Sequence, residues 1–309
     1  MTPPIAGRRG DEESNETMTV RPSHELVTDL QLKRYAKLIY DVAGVEISPQ
    51  KKQLLSNRVR RRLKVTGIAN FEDYYETLVS LPVTDDEWDH FLQEVTTHET
   101  YLFRDDSNWN WFRNEYLPQL TSEARLGVRK KSLRVWSAAC STGDEACTVA
   151  CCAAEGLAGQ AGWDVKIVGT DIGVGAVREA NAARFGERSM RLVPEPLKKR
   201  FFDQAKNTPF WTPKSQLRNM MSFRQHNLLD PLRERPFDVV LLKNVLIYFN
   251  TESKKRVLEN VNRVMLPGSI LVLGAAEGVS DLLDGYERIR PWLYRCVNAA
   301  SPPSGKAGV

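Results

Sequence analysis

The chain has 309 residues, 42% of them hydrophobic and 27% charged, with a formal net charge of +4. That length accommodates one large α/β domain and a smaller one, and the composition is that of an ordinary globular protein. The small charge gives no ground for a nucleic-acid partner, no apolar run reaches the roughly 20 residues of a membrane helix, and the N-terminus lacks the apolar core of an export signal. Five cysteines (Cys140, Cys147, Cys151, Cys152, Cys296) form no paired framework, which points to reduced thiols and a cytoplasmic chain.

Residues 1–24 are rich in Pro, Gly, Glu, Ser and Thr and have no apolar period, so a disordered tail is expected there; residues 299–309 read the same way. Residues 25–95 have the pattern of a small all-helical domain. Leu32, Tyr35, Leu38, Ile39 and Val42 recur at helical steps, and Gly44 supplies the stop. A second helix follows, with Ser48 as the expected N-cap, Pro49 in its first turn and Gly67 at its end. Further helices are expected around Tyr74–Leu81 and Asp86–Glu94, and residues 96–131 form a linker with a helix that reaches the active site. From Ser132 to Asn298 short β-rich runs alternate with amphipathic stretches, as in βαβ units. The expected fold is a doubly wound, mainly parallel sheet of the Rossmann-like type. Its last segment, 287–298, reads as a strand pair turned at Pro291, and an irregular stretch within 186–221 has room for a small antiparallel insert.

The strongest feature is a strand that runs into a small-residue loop and then a helix, Ser137-Ala138-Ala139-Cys140-Ser141-Thr142-Gly143-Asp144-Glu145. Such loops lie at the carboxyl ends of strands, where doubly wound sheets bind ligands. The loop lacks the glycines of a dinucleotide fingerprint and the Gly-Lys-Ser/Thr of a phosphate loop. Glu145 suits a cationic ligand, such as the amino group and sulfonium of S-adenosylmethionine. Asp171 ends the second strand, where an acid commonly accepts ribose hydroxyls; the plainer alternative is that it only caps the next helix. Asn227, or backbone beside it, is placed for an adenine. Asn244 and Tyr248 bring polar groups to the mouth of the sheet.

Six segments in order then resemble the chemotaxis receptor methyltransferase (CheR) family: Thr96 to Asp105, VWSAACSTGDEACTVA, GTDI, HNLLD, KNVLIYFN and LGAAEGVSDL. The resemblance spans about Leu30 to Val297 and implies S-adenosylmethionine-dependent esterification of glutamate side chains on chemoreceptors. It implies Arg104 and Tyr248 at the reaction centre. It also implies cofactor contacts from Thr100, Arg104, Glu145, Asp171, Asn227, Leu228 and Asn244. His98 and Lys243 occupy two further contact positions, where the family has Asn and Arg. Other departures are Ala146-Cys147-Thr148 after the loop, expected to loosen that helix start, and Ala275-Ala276 before Glu277.

Direct displacement by an ionised carboxylate needs no general base, so the lack of a nucleophile triad or metal cluster fits this chemistry. By itself Arg104 would read as a surface ion pair with Asp105 or Asp106. The basic helix Lys51–Lys64 buries Leu55, Val59 and Leu63 and turns Arg60, Arg61 and Lys64 outward. It suits acidic receptor helices or is simply a solvated face. The β insert, which some relatives use to dock on a receptor peptide, is a second candidate contact. Cys147, Cys151 and Cys152 read as packed thiols, with no metal site. The expected state is a monomer with no nucleic-acid partner and no membrane insertion. Two alternatives stand beside the receptor reading: methylation of another protein or small-molecule carboxylate, and a non-catalytic module that holds S-adenosylmethionine and signals by association.

Overall fold

In the first strand of the sheet, β1 (Ser132–Ala138), Leu133 and Val135 face one core while Trp136 and Ala138 face another, so the strand is buried on both sides. Strands of this kind belong to parallel sheets covered by helices on both faces. The computed structural model describes residues 25–204, 206 and 208–298, so both expected disordered tails lie outside the described residues.

The described residues begin with four helices, α1 (Asp29–Ala43), α2 (Lys52–Thr66), α3 (Phe71–Ser80) and α4 (Asp86–Val95). Thr28 and Gln31 form a capping box at the start of α1, each side chain accepting the other's backbone N–H. Gly44 and Gly67 end α1 and α2 at φ 69° and 75°, the left-handed conformation that a Cβ disfavours. Ser48 departs from expectation. It precedes a 3₁₀ turn, Pro49–Lys51, in which proline suits the first position, and its side chain makes no capping bond. The four helices share a core of Tyr35, Ile39, Val59, Tyr74, Leu78 and Phe91.

A loop then leads to α5 (Asp106–Trp111), which passes through a π turn at Phe112–Tyr116 into α6 (Leu117–Arg125). The sheet domain follows: β1, α7 (Asp144–Gly156), β2 (Asp164–Asp171), α8 (Val174–Ala182), α9 (Glu187–Met190), α10 (Glu195–Phe201), β3 (Phe202–Gln204), β4 (Trp211–Pro213), α11 (Ser215–Arg218), β5 (Met221–Gln225), β6 (Phe237–Leu242), α12 (Thr251–Asn262), β7 (Met265–Leu273), β8 (Tyr286–Arg290) and β9 (Leu293–Cys296). Seven strands lie in the order β5-β2-β1-β6-β7-β9-β8. The first five are parallel; β9 runs antiparallel to β7 and to β8, with Pro291 in the turn between the last two. The expected antiparallel insert is the hairpin β3–β4.

Strand order reverses between β2-β1 and β6-β7, so the carboxyl ends of β1, β2, β5 and β6 diverge around a crevice. The helical domain covers that crevice. Asn227, after β5, donates to the Val42 carbonyl at 2.7 Å, and Glu46 N–H donates to the Tyr248 carbonyl at 2.8 Å. Val45 pairs with Phe249 as an antiparallel bridge. Gln93 of α4 accepts the Ala176 N–H of α8 at 3.0 Å.

Candidate active site

The loop after β1 has Ala139, Ser141 and Gly143 at φ 59°, 50° and 86°. Two of these are L-residues in a region they enter only when surrounding bonds hold them. Asp171 supplies one such bond: Oδ2 accepts the Ser141 N–H at 2.8 Å. Its Oδ1 accepts the N–H of Gly173, the N-cap of α8, at 2.9 Å. The expected alternatives are therefore joined: Asp171 braces the helix start and also faces the cleft. Gly143 is closely packed as well, because an added Cβ would lie 3.1 Å from both Ala180 and Phe223.

Glu145, on the first turn of α7, accepts from the Ser137 hydroxyl at 2.7 Å. The Lys243 ammonium lies 3.5 Å from its other oxygen and 3.0 Å from Asp105. The Lys243 side chain is 3% exposed and Glu145 16%, so the lysine is a buried cation whose second partner, Asp105, reaches the surface. Sequence reading treated Glu145 as an unopposed anion; its neighbour across the loop was visible only as a lysine 98 positions later.

Arg104 makes neither of the surface pairs that its neighbours suggest. Asp105 is engaged by Lys243, and Asp106 accepts from Asn110 at 2.6 Å. The Arg104 guanidinium makes one bond, to the Glu99 carbonyl at 3.2 Å, and lies 5.8 Å from the Tyr101 ring centre. Its segment is bent, with Phe103 and Asp105 at φ 58° and 65°. Thr148 anchors the bend by accepting the Phe103 N–H at 3.0 Å, and Trp109 donates to the Arg104 carbonyl at 2.6 Å.

His98 places Nε2 2.7 Å from the Thr96 hydroxyl and Nδ1 3.7 Å from Asp171, while its carbonyl accepts from Ser141 at 3.0 Å. Asn227 holds its side chain on Val42 and on the Leu229 N–H, so an approaching ring meets the backbone and Leu228 beside it. Asn244 is left-handed at φ 59°. Tyr248 ends the 3₁₀ turn Leu246–Tyr248, and the Lys51 ammonium lies 5.5 Å from its ring centre.

All ten expected site residues (His98, Thr100, Arg104, Glu145, Asp171, Asn227, Leu228, Lys243, Asn244 and Tyr248) line one cleft. Its opposite wall comes from the helical domain through Val45, Ile47, Lys51, Leu54 and Arg58. Sequence reading missed that wall, since Lys51 and Arg58 looked like members of a charge run. Arg58 is turned to the cleft by bonds to the Val95 carbonyl and, at 2.8 Å, to the Thr97 hydroxyl. Burial pulls its pKa below the ordinary arginine value. Three cations of the run are paired within the helical domain: Arg62 is 8% exposed and grips Glu87 by two bonds, Arg61 pairs with Glu94, and Lys52 pairs with Asp29.

The other departures lie away from the cleft. Ala146 and Cys147 are wholly buried beneath the loop, and Ala275 and Ala276 are exposed outside the cleft lining. At the helix start the Thr148 hydroxyl donates to the Asp144 carbonyl at 2.8 Å, within the first turn of α7. Cys140, Cys151 and Cys152 are buried thiols whose pKa burial pushes up, which makes them poor nucleophiles.

A doubly wound sheet ending in an antiparallel hairpin, with a small-residue loop, two cleft carboxylates and no phosphate-loop lysine, defines the S-adenosylmethionine-dependent methyltransferase class. Residues 98–291 match the family described as CheR methyltransferase, SAM binding domain, and residues 30–96 match CheR methyltransferase, all-alpha domain. The chain is 30% identical to a chemotaxis protein methyltransferase of Borreliella burgdorferi over 87% of its own length and 95% of that protein's. It is 32% identical to chemotaxis protein methyltransferase 1 of Pseudomonas aeruginosa over 80% and 89% of the two chains. For the chemotaxis protein methyltransferase of Escherichia coli the identity is 29%, over 83% and 87%. The chain belongs to the CheR methyltransferase family, its cofactor is S-adenosylmethionine, and its activity is methyl transfer in chemotaxis. The site fits that cofactor: positive-φ backbone leaves room beside the loop, and the carboxylates Glu145 and Asp171 face a cleft with apolar walls at Ile172, Leu228 and Val245. Among the described residues no helix is long and apolar enough to cross a membrane.

Proposed function

We propose that the protein esterifies glutamate side chains on the cytoplasmic helices of chemoreceptors, yielding glutamate methyl esters. One observation carries the reading: a single cleft holds the Arg104 guanidinium and the Tyr248 phenol beside the carboxylates Glu145 and Asp171. S-adenosylmethionine, when bound, supplies a methyl group activated by its sulfonium. A glutamate acceptor is already ionised at neutral pH, so the chain's task is to bind, orient and exclude water.

Asp171 is suited to the ribose, because each of its oxygens keeps acceptor capacity beyond its one backbone bond. Glu145 is suited to the amino group, with Lys243 holding its second oxygen in place. Leu228 and the backbone at Asn227 are suited to the adenine, with Thr100 and Asn244 completing the cradle and His98 supporting Asp171. Arg104 makes one bond to its own chain, which leaves N–H groups for a substrate carboxylate. Tyr248 is suited to orienting that carboxylate. On the helical wall Lys51 and Arg58 are the cations of the basic helix that line the cleft, and they favour an acidic helix as the docking partner.

The test is transfer of a tritiated methyl group to membranes from the same organism. Base-labile label on a receptor-sized band is the expected result; cofactor binding without any labelled acceptor overturns the reading in favour of a binding module. Arg104→Ala is expected to bring transfer to background with an unchanged circular dichroism spectrum, and full activity in that variant removes Arg104 from the mechanism.

A further inference from the structure

Glu277 is 2% exposed and lies just beyond the carboxyl end of β7, outside the lining of the cleft. Its carboxylate is turned toward the neighbouring loop after β6. Oε1 accepts the N–H of Asn244, and Oε2 accepts the N–H of Ile247 at 3.2 Å. The N–H groups of Leu246 and Gly274 also point at it. The backbone around Glu277 is fixed from a third element, since Lys254 of α12 donates to its carbonyl at 2.8 Å and to the Gly278 carbonyl at 3.3 Å. Gly274 leaves space for the arrangement: a Cβ there would collide with Oε1 and stand 3.1 Å from the Asn244 nitrogen.

The loop held in this way, residues 244–248, carries two polar cleft groups, Asn244 and Tyr248. Asn244 is an L-residue at φ 59°, a conformation kept only when neighbouring bonds impose it. Tyr248 ends the 3₁₀ turn whose first N–H groups meet the carboxylate. An anion at the start of such a turn offsets its unpaired donors.

We propose that Glu277 is a positioning residue for methyl transfer, a buried carboxylate that sets the backbone of Asn244 and the turn bearing Tyr248 and so shapes both the cofactor cradle and the reaction centre. The inference rests on the assignment of Asn244 and Tyr248 to that site. A carboxylate is required because every group directed at it is a donor. Glutamine has the same shape but turns an NH₂ toward one set of N–H groups, and aspartate falls short of the loop.

The experiment compares Glu277→Gln, Asn244→Ala and the double variant by calorimetric titration with S-adenosylhomocysteine, a readout that needs no acceptor. Glu277→Gln is expected to weaken binding roughly tenfold or more, and to add little once Asn244 is already alanine, because both act through one loop. At saturating cofactor, the rate constant for transfer also falls in Glu277→Gln, since Tyr248 moves with the turn. Unchanged binding, or losses in the two single variants that simply multiply, overturns the proposal. Gly274→Ala, which keeps the carboxylate but displaces it, is expected to reproduce the binding loss. If neither Glu277→Gln nor Gly274→Ala folds, Glu277 belongs to the fold alone and the proposal is overturned. A native protein that binds S-adenosylhomocysteine but labels no receptor would defeat the acceptor reading while leaving the binding comparison intact.

Discussion

Asp171 and Glu145 are both anions of the cleft, yet their surroundings differ. Asp171 is held by backbone N–H groups, whereas Glu145 is held by a hydroxyl and an ammonium. Backbone donors keep their charge state at every pH, and the Lys243 ammonium also neutralises part of the field at Glu145. Lys243→Met is therefore expected to leave Glu145 and Asp105 as uncompensated neighbours and to weaken cofactor binding by about tenfold, read by calorimetry. His226, beside Asn227, has a buried Nε2 without a hydrogen-bond partner and sits edge-on to Trp136. Burial holds its pKa below the ordinary 6.5, with Arg224 adding to the effect and Asp230 opposing it. Below pH 6.5 the unfolded chain then takes up a proton that the folded one resists, so stability falls as the pH drops through that value. The urea midpoint is expected to decline between about pH 7.5 and 5.5, and less steeply in His226→Gln.

At the scale of elements, the loop from β1 into α7 depends on backbone shape as much as on side chains. Gly143→Ala forces a Cβ into the left-handed region and against Ala180 and Phe223. The expected cost is about 1–2 kcal/mol in urea unfolding, together with weaker cofactor binding. Helix α2 shows how a charge run can mislead. Its basic pattern is plain in the sequence, but pairing partners arrive from α4 and from the first residue of α1. Arg62 in particular is a core residue: Glu87 accepts two bonds from it and one from the Tyr74 hydroxyl at 2.5 Å. Arg62→Ala strands the half-buried Glu87 carboxylate and is expected to destabilise the protein by roughly 2–3 kcal/mol, measured by urea denaturation, while Lys64→Ala on the exposed face changes little.

For the whole molecule, the cleft exists because two domains close on each other. The helical domain meets the sheet through the Asn227–Val42 bond, the Val45–Phe249 bridge and the Glu46–Tyr248 bond. These join the Asn227 side chain and the backbone of Tyr248 and Phe249 to the end of α1 and the segment leading into the wall that carries Lys51 and Arg58. Asn227→Asp replaces the donor to Val42 with an anion facing a carbonyl. It is expected to speed hydrogen exchange in the last turn of α1 and to weaken cofactor binding together, about tenfold, because one contact serves both. Faster exchange with unchanged binding would show that the wall and the cradle act independently.

The strands, their order of appearance and the helical N-terminal part were legible in the sequence, since each rests on local periodicity; Glu145, Asp171, Asn227, Asn244 and Tyr248 were legible from their places at strand ends, whereas His98, Thr100, Arg104, Leu228 and Lys243 came only from the family resemblance. Small residues between a strand and a helix read as a ligand loop before any contact is known. What the tertiary structure decided is which charges meet. Lys243 joins Glu145 and Asp105, Arg62 turns inward to Glu87, and Asn227 latches onto Val42. Glu277, directly after the departing Ala275-Ala276, accepts the Asn244 N–H. Coulomb and hydrogen-bond energies depend on separations of a few ångströms, and chain position sets no such distance between residues 33, 98 or 185 positions apart. Glu145 shows both parts at once: the sequence placed it at the mouth of the loop, and only the fold supplied the lysine beside it.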